Sequence, residues 1–281
     1  MNITTNEVAG WETSRLTSIK EILDILANLR TEPWIVRGQS KCFGTLFPKI
    51  DRTPFNQIIN RTQKIKLERR SIELFQSESN LVGSHEVRLN LNYDMNTLMV
   101  LQHYDVPTRL LDWSLNPYVA AYFSINENEN CDGEIWSFED KKYLEQGNKQ
   151  WEKITEIPIG SDIKVRYDVA FDEKTPEPDF FMCVYNYLEF MRLSAQAGLF
   201  SMTARFGQDH AESIRTFFEE DRNYYHRFII NSDLKLELRQ VLKEDFGICQ
   251  ESLFPDTALA AKAVKEKILN DLESYLRNSN T

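Results

Sequence analysis

Residues 101–117, LQHYDVPTRLLDWSLNP, bring side chains that bind anions or transfer protons within a few positions of one another. His103 is one of four histidines, the side chain whose ordinary pKa lies near neutrality. Arg109 and Asp112 stand three residues apart, so a helical turn would place both on one side. Two interpretations stay open. The block is either a polar corner that fixes the start of the next helix or one wall of a ligand cleft. The lining residues of such a cleft would be Gln102, His103, Thr108 and Arg109.

A second group of polar side chains ends an apolar run, WIVRGQS, at residues 34–40. Because its neighbours in the run are apolar, Arg37 must find an anionic or carbonyl partner or reach a cleft. Gly38 would let a ligand approach the backbone closely, and Gln39 adds a neutral donor. A guanidinium group binds phosphate or pyrophosphate in a bidentate way, which favours a phosphate pocket. The alternative is a structural arginine tied to an internal carboxylate such as Asp112.

The third group lies in RLSAQAGLFS, residues 192–201. Arg192 and Gln196 stand four residues apart, so a helix would carry both on one face, and Gly198 would end that helix. The amide of Gln196 has no titratable proton and cannot act as a general base. It would either orient a substrate hydroxyl or nicotinamide amide, or cap strand carbonyls.

Well-known catalytic motifs are missing from the sequence: there is no GxGxxG, P-loop, HExxH, GxSxG or kinase motif set. Glu134 and Glu189 are the carboxylates nearest to the three groups, and nothing in the sequence prefers either of them as a general base. The four cysteines are scattered, which predicts neither a metal site nor a disulfide framework. They are Cys42, Cys131, Cys183 and Cys249.

The composition limits the classes of partner. Hydrophobic residues make up 42% and charged residues 27% of the 281 positions, which is typical of a globular protein. The net charge of −10 argues against binding along an extended nucleic acid. No run of 18 apolar residues predicts a membrane span. The scattered spacing of the cysteines, which fits a reducing compartment, and the lack of a basic, apolar leader at the first residues predict a cytoplasmic protein.

The elements that must position these groups follow from periodicity. Apolar spacing predicts a helix over residues 17–30, with Ser18 and Glu21 as a capping box, and WIVRG predicts a short strand. Residues 181–202 are compatible with strand, helix or both. Further helices are expected over residues 56–79, 94–102, 117–124, 233–247 and 256–276, and further strands at EIWSF, IKVRYDV and YYHRFII.

Strands and helices do not alternate regularly, so an α+β fold is expected, with a small central mixed or antiparallel sheet, flanking helices and a C-terminal helical region. We expect a single domain over residues 1–281. Its parts would be the N-terminal helix 17–30, the core motifs 34–205 and a C-terminal strand–helix region 222–277.

Four blocks resemble, in order, the FRG domain family: WIVRGQS, LMVLQHYDVPTRLLDWSLNPYVAAYFS, RLSAQAGLFS and GICQESLFPD. The resemblance spans residues 17–265. Val36 stands where the family has an aromatic residue that would stack over a ligand, and Asp105 where it usually has glycine. Members are mostly bacterial proteins of unassigned activity in settings that suggest anti-phage or toxin roles. The Arg-Gly pair is also similar to the element with which arginine-dependent ADP-ribosyltransferases hold the phosphates of NAD.

This resemblance implies an NAD-using ADP-ribosyltransferase or NAD glycohydrolase without a metal. Arg37 would clamp the pyrophosphate and share one hollow with Arg109, while a carboxylate or Gln196 would stabilise positive charge on the ribose. The implied catalytic residues are Arg37, His103 and Gln196. The implied cofactor-binding residues are Arg37, Gly38, Gln39, Gln102, Thr108, Arg109, Asp112, Trp113 and Arg192. The alternative is a non-catalytic module that binds a nucleotide, another anionic small molecule or a protein target around an Arg/Asp core.

Overall fold

The computed structural model describes residues 10–58, 60–82, 94–155, 181–185 and 191–255. Seven strands form one mixed sheet in the order β1-β7-β4-β2-β3-β6-β5. Strands β1 and β7 are parallel, and the other neighbours are antiparallel. The strands are β1 Thr13–Leu16, β2 Trp34–Gln39, β3 Leu111–Ser114, β4 Gly133–Glu139, β5 Phe181–Tyr185, β6 Gly198–Thr203 and β7 Tyr225–Ile230.

Ten α-helices occur in the described residues, which together with the sheet confirms the α+β prediction. They are α1 Ile19–Thr31, α2 Phe55–Ile58, α3 Arg61–Val82, α4 Asp94–His103, α5 Pro117–Ile125, α6 Asp140–Thr155, α7 Met191–Ala195, α8 His210–Phe217, α9 Lys235–Phe246 and α10 Gln250–Leu253. Within the described ranges, no helix is long and apolar enough to cross a membrane.

Two apolar cores lie on opposite faces of the sheet, because successive residues of a strand point to opposite sides. One core joins β2 and β4 to α1, α5 and α9 and contains Val36 and Ile135. The other is rich in aromatic rings and contains Ile35 and Trp136, the neighbours of those two residues along each strand. A third cluster packs α3 and α4 against β5 and β6.

Helix α5 lies unusually close to the sheet, and two glycines permit this. A Cβ atom on Gly38 would lie 1.8 Å from the carbonyl oxygen of Ala120, and one on Gly133 would lie 2.0 Å from that of Ser124. The expectation that Gly38 makes room for a ligand is therefore replaced by a packing role: the backbone that approaches it belongs to α5.

Local patterns account for several helix boundaries. Ser18 Oγ accepts from the backbone N–H of Glu21, and Asn116 Oδ1 accepts from that of Tyr118, so both N-caps are formed. The capping box expected at Ser18 is only half formed, because the Glu21 carboxylate accepts from the backbone N–H of Thr17 at 2.9 Å. The single helix expected over 56–79 is instead two helices. Asn60 Oδ1 accepts from Gln63 N at 3.0 Å, and Gln63 Oε1 accepts from Asn60 N at 2.8 Å. Asn60 is therefore the N-cap of α3, whose first helical residue is Arg61.

The segment around Gly198 resolves into a helix followed by a strand. Helix α7 ends at Ala195, Ala197 adopts a left-handed conformation with φ 45°, and Gly198 begins β6. The expectation that Gly198 ends this helix is therefore wrong: the helix ends at Ala195, and Gly198 is the first residue of β6. The predicted strand IKVRYDV, the helix 256–276 and Glu189 lie outside the described residues.

Candidate functional site

The sheet forks between β2 and β3. Strand β2 pairs with β4 along six residues, whereas its register with β3 consists of the single pair Val36–Ser114. Strand β3 is instead paired with β6 along four residues. A cavity of about 570 Å³ lies at this fork and is lined by residues of both strands. That volume is within the range of about 300–1,000 Å³ that small-molecule sites occupy.

The three polar groups of the sequence meet at this cavity, which we call the fork cleft. Nine of the predicted site residues line it: Arg37, Gly38, Gln39, Gln102, His103, Asp112, Trp113, Arg192 and Gln196. Thr108 and Arg109 do not. Other lining residues come from the 40–52 segment, from α5 and the loop after it, and from the end of α10.

Arg37 spans the fork. Its Nη1 donates to the backbone oxygen of Asp112 at 2.6 Å and lies 3.9 Å from the carboxylate of the same residue. The side chain is only 14% exposed, and burial lowers the pKa of Arg37 to about 10, so the group stays cationic at neutral pH. Its buried Nε has no hydrogen-bond partner among the described residues. The guanidinium group is thus incompletely hydrogen-bonded within the protein.

Gln102 and Thr108 orient the carboxylate of Asp112. Thr108 Oγ1 donates to Gln102 Oε1 at 2.5 Å, which turns the amide nitrogen of Gln102 towards Asp112 Oδ2 at 2.8 Å. Thr108 is buried beneath this pair and acts on the cleft through Gln102. The Asp112 side chain remains 57% exposed and is available to a ligand.

Arg109 lies outside the fork cleft. Its Nε donates to Glu68 Oε2 at 2.8 Å and its backbone N–H to Glu68 Oε1 at 3.2 Å. The guanidinium carbon lies 4.0 Å from the ring centroid of Phe206. Both charged side chains are almost fully buried. The expected pair of guanidinium groups around one anion is therefore replaced by a buried ion pair between the 101–117 block and α3.

Gln39 and Glu134 form a buried wall beside the cleft. Gln39 Nε2 donates to Glu134 Oε1 at 2.7 Å, and the backbone N–H of Phe43 donates to the same oxygen at 3.0 Å. Arg227 donates twice to Glu134 Oε2, at 2.9 and 2.7 Å. Glu134 is fully buried with four hydrogen bonds, so it positions the wall and is not free to act as a general base.

His103, Arg192 and Gln196 form the opposite side. Arg192 Nη1 donates to the backbone oxygen of His103 at 3.3 Å, and its guanidinium carbon lies 4.4 Å from the ring centroid of Phe254. Gln196 Nε2 donates to the carbonyl of Leu253 at 3.1 Å. These contacts tie α4, α7 and α10 together and hold the three side chains at the cleft.

Trp113 is held from behind by two buried polar residues. Its Nε1 donates to Ser201 Oγ at 2.7 Å, and Ser201 Oγ lies 2.8 Å from His210 Nδ1. Burial, with Arg37 and Arg52 nearby, lowers the pKa of His210 to about 3. The imidazole is therefore neutral at pH 7, and its buried Nε2 has no hydrogen-bond partner in the described chain.

Sequence reasoning missed several residues of the cleft: Phe43, Arg52, Phe123, Asn126, Glu127, Asn128 and Phe254. Arg52 donates through Nε to the carbonyl of Phe47 at 2.8 Å, and burial lowers its pKa. It comes from an irregular segment without periodicity, so no spacing rule could place it. The 126–128 loop is fixed by Lys235, whose Nζ donates to three backbone carbonyls at 2.7–3.1 Å, including those of Glu127 and Asn128.

The described residues form no cluster of three or more His, Cys, Asp or Glu side chains suited to a metal ion. Fold and cleft together define an α+β protein with an arginine-lined pocket of ligand size at a fork in its sheet. Residues 32–133 match the family model of the FRG domain, so the chain contains an FRG domain over this range. No match was found among the curated proteins or among the solved structures.

The matched range contains both strands of the fork, Arg37 and the whole 101–117 block. The remaining two blocks of the resemblance lie beyond residue 133. They nevertheless contribute Arg192, Gln196 and Phe254 to the same cleft.

Proposed function

We propose that the fork cleft binds a small molecule that carries phosphate or pyrophosphate, with NAD as the first candidate. The proposal rests on the burial and incomplete hydrogen bonding of Arg37. Its guanidinium group is largely buried in the wall of a 570 Å³ cleft, and its Nε lacks a partner in the described residues. The part of this cation that is exposed in the cleft, 14% of the side chain, would donate a charge-assisted hydrogen bond to a bound phosphate oxygen.

The charges around Arg37 are compatible with an anion. Arg52 and Arg192 line the same cleft. Three carboxylates line it as well: Asp105 is paired with Lys49 at 2.5 Å, Asp112 is engaged by Gln102, and Glu127 lies in the loop after α5. The protein therefore combines a net charge of −10, which disfavours nucleic acid, with a local group of three guanidinium groups suited to a small anion.

Replacing Arg37 with glutamine is expected to weaken the binding of NAD and of inorganic pyrophosphate by about 10- to 150-fold, the range for a hydrogen bond to a charged group. Isothermal titration calorimetry measures both dissociation constants. Arg215→Gln is the matched control, because Arg215 also has a buried Nε without a described partner but does not line the cleft. Unchanged affinity in Arg37→Gln, or no binding of either compound by the native chain, contradicts the proposal.

A second candidate function is cleavage of NAD, as an ADP-ribosyltransferase or NAD glycohydrolase. It is favoured by the carboxylate of Asp112, which is exposed in the cleft, oriented by Gln102 and close to Arg37. A carboxylate there would stabilise the positive charge that develops on the ribose as nicotinamide leaves. Such chemistry would suit the anti-phage or toxin setting that the family resemblance implies. Binding without turnover would instead make the domain a sensor of its ligand.

For this second candidate, Asp112→Asn is expected to reduce nicotinamide release from NAD by at least about a hundredfold, the effect of removing one group that stabilises transition-state charge. The release is followed by chromatography, with and without added protein acceptor. Asp105→Asn serves as the control, since Asp105 lines the same cleft but is paired with Lys49. Absence of nicotinamide release by the native chain removes the catalytic candidate and leaves the binding proposal standing.

A further inference from the structure

We propose that Phe43 is a stacking platform for the base of a nucleoside diphosphate whose phosphates lie on Arg37. The inference rests on the proposed binding function and narrows its ligand class. Phe43 lines the fork cleft together with Arg37 and is 60% exposed. Its ring makes no contact with another ring in the described part of the chain, and its 60% exposure leaves ring surface accessible to a planar partner.

The other aromatic rings of the cleft are already engaged. Trp113 is buried and packs edge-on against Phe138, with ring centroids 4.9 Å apart. Phe123 and Phe254 contact each other edge-on at 6.2 Å, and Arg192 covers Phe254. Among the described lining residues, Phe43 thus presents the most accessible aromatic surface.

Position 36 does not provide such a surface. The family has an aromatic residue there, which suggested a ring over the ligand. Val36 is fully buried, and its side chain belongs to the core between the sheet, α1 and α5. Val36 also lines the fork cleft, so a ligand there meets a valine and not an aromatic ring at this position.

The backbone beneath the Phe43 ring is held in place. Its N–H donates to Glu134 Oε1 at 3.0 Å, and Glu134 is itself fixed by two hydrogen bonds from Arg227. Gln39 Nε2 donates to the carbonyl of Thr45 at 3.1 Å and so holds the same loop from its other end. A ring on a fixed backbone loses little conformational freedom when a base stacks on it, which favours binding.

These contacts give the cleft two separable requirements. Arg37 recognises the phosphates, whereas Phe43 recognises the planar base attached to them. A nucleoside diphosphate satisfies both, and inorganic pyrophosphate satisfies only the first. Base–aromatic stacking accepts every base because each has a π-face, so the contact selects for the presence of a base and not for its identity.

The test compares ADP with inorganic pyrophosphate on the full chain by calorimetry. Phe43→Ala is expected to weaken ADP binding by about 5- to 150-fold, the range for one stacked base, and to change pyrophosphate binding by less than about twofold. Phe43→Tyr keeps the ring and should retain native ADP affinity. Phe43→Leu keeps an apolar side chain without a ring and should behave like Phe43→Ala. Thermal melting of each variant establishes that it is folded.

Equal loss of ADP and pyrophosphate binding in Phe43→Ala would overturn the inference, because the residue would then act on the phosphates or on the loop. Native ADP affinity in Phe43→Ala or in Phe43→Leu would also overturn it. In both cases the Arg37→Gln variant tests the proposed function separately. If Arg37→Gln weakens pyrophosphate binding while Phe43→Ala retains native ADP affinity, the phosphate site is supported and only the stacking role of Phe43 is rejected. If the native chain binds neither compound, both proposals fail together.

Discussion

Replacing Arg109 with methionine is expected to lower the free energy of unfolding by about 3–5 kcal/mol, the cost of leaving a buried charge without its partner. Arg109 and Glu68 are 3% and 1% exposed, and their side chains are joined at 2.8 Å. Burial raises the pKa of Glu68, and Arg109 is the nearby charge that opposes this rise. Methionine keeps much of the arginine stem but removes the charge, so the carboxylate of Glu68 would remain desolvated. Urea denaturation followed by circular dichroism measures the loss.

The control is the same substitution in an exposed ion pair of α3. Arg70→Met breaks the contact of Arg70 with Glu73, at 3.5 Å on the helix surface, and should cost less than about 1 kcal/mol. Adding Glu68→Leu to Arg109→Met should recover much of the lost stability, since a buried pair can often be replaced by apolar side chains. A variant Arg109→Met with native stability but weakened NAD binding would return Arg109 to the ligand site.

Residues of all three polar blocks line one cleft, but the sequence could not assign a role to each side chain. Arg109 and Asp112 are three residues apart, which suggested a shared helical turn. Strand β3 begins at Leu111, and the partner of Arg109 lies 41 positions earlier in α3. No local pattern reports a contact over that separation. Patterns that depend on neighbouring residues were more informative: Ser18 and Asn116 both cap their helices, although the carboxylate of Glu21 accepts from Thr17 and leaves the expected capping box half formed.

The role of a glycine was also hard to predict from the sequence alone. A glycine in a sequence indicates a close approach or an unusual turn, but it does not say what approaches. At Gly38 the neighbour is the backbone of α5 and not a ligand, because a Cβ atom would overlap the oxygen of Ala120. Position 105 is the converse case. Asp105 adopts φ 62° where the family usually has glycine, and aspartate is one of the residues that tolerate this region.

Acidification from pH 7.5 to 5 is expected to reduce the free energy of unfolding by about 2 kcal/mol through His210 alone. In the folded protein its pKa is about 3, against an ordinary value of 6.5. Above pH 6.5 the imidazole is neutral in both states and contributes no pH dependence. Below pH 6.5 the unfolded chain takes up a proton that the folded chain does not, so stability falls as the pH falls towards the folded pKa.

The geometry explains why the folded state resists protonation. Ser201 Oγ accepts from Trp113 Nε1 at 2.7 Å and is hydrogen-bonded to His210 Nδ1 at 2.8 Å, so one hydroxyl links the indole to the imidazole. A protonated imidazole would place its charge in a buried site, and desolvation there is the main cause of the lowered pKa of His210. It would also place a positive charge near Arg37 and Arg52, both of which lower the pKa of His210. The neutral ring therefore holds Ser201 and, through it, the indole of Trp113 in the cleft wall.

His210→Asn is the variant that isolates this effect, because its side-chain oxygen can accept from Ser201 and does not titrate between pH 5 and 7.5. Urea unfolding of both proteins across this range gives two stability curves. Other groups, including Glu68 and Asp209, whose raised pKa values act in the opposite direction, are common to both curves and cancel in the difference. We expect the wild-type curve to fall below pH 6.5 more steeply than that of the variant, by about 1.4 kcal/mol per pH unit. Parallel curves would mean that His210 is protonated equally in the folded and unfolded chain, and the hydrogen-bonded chain behind Trp113 would then have to be reassigned.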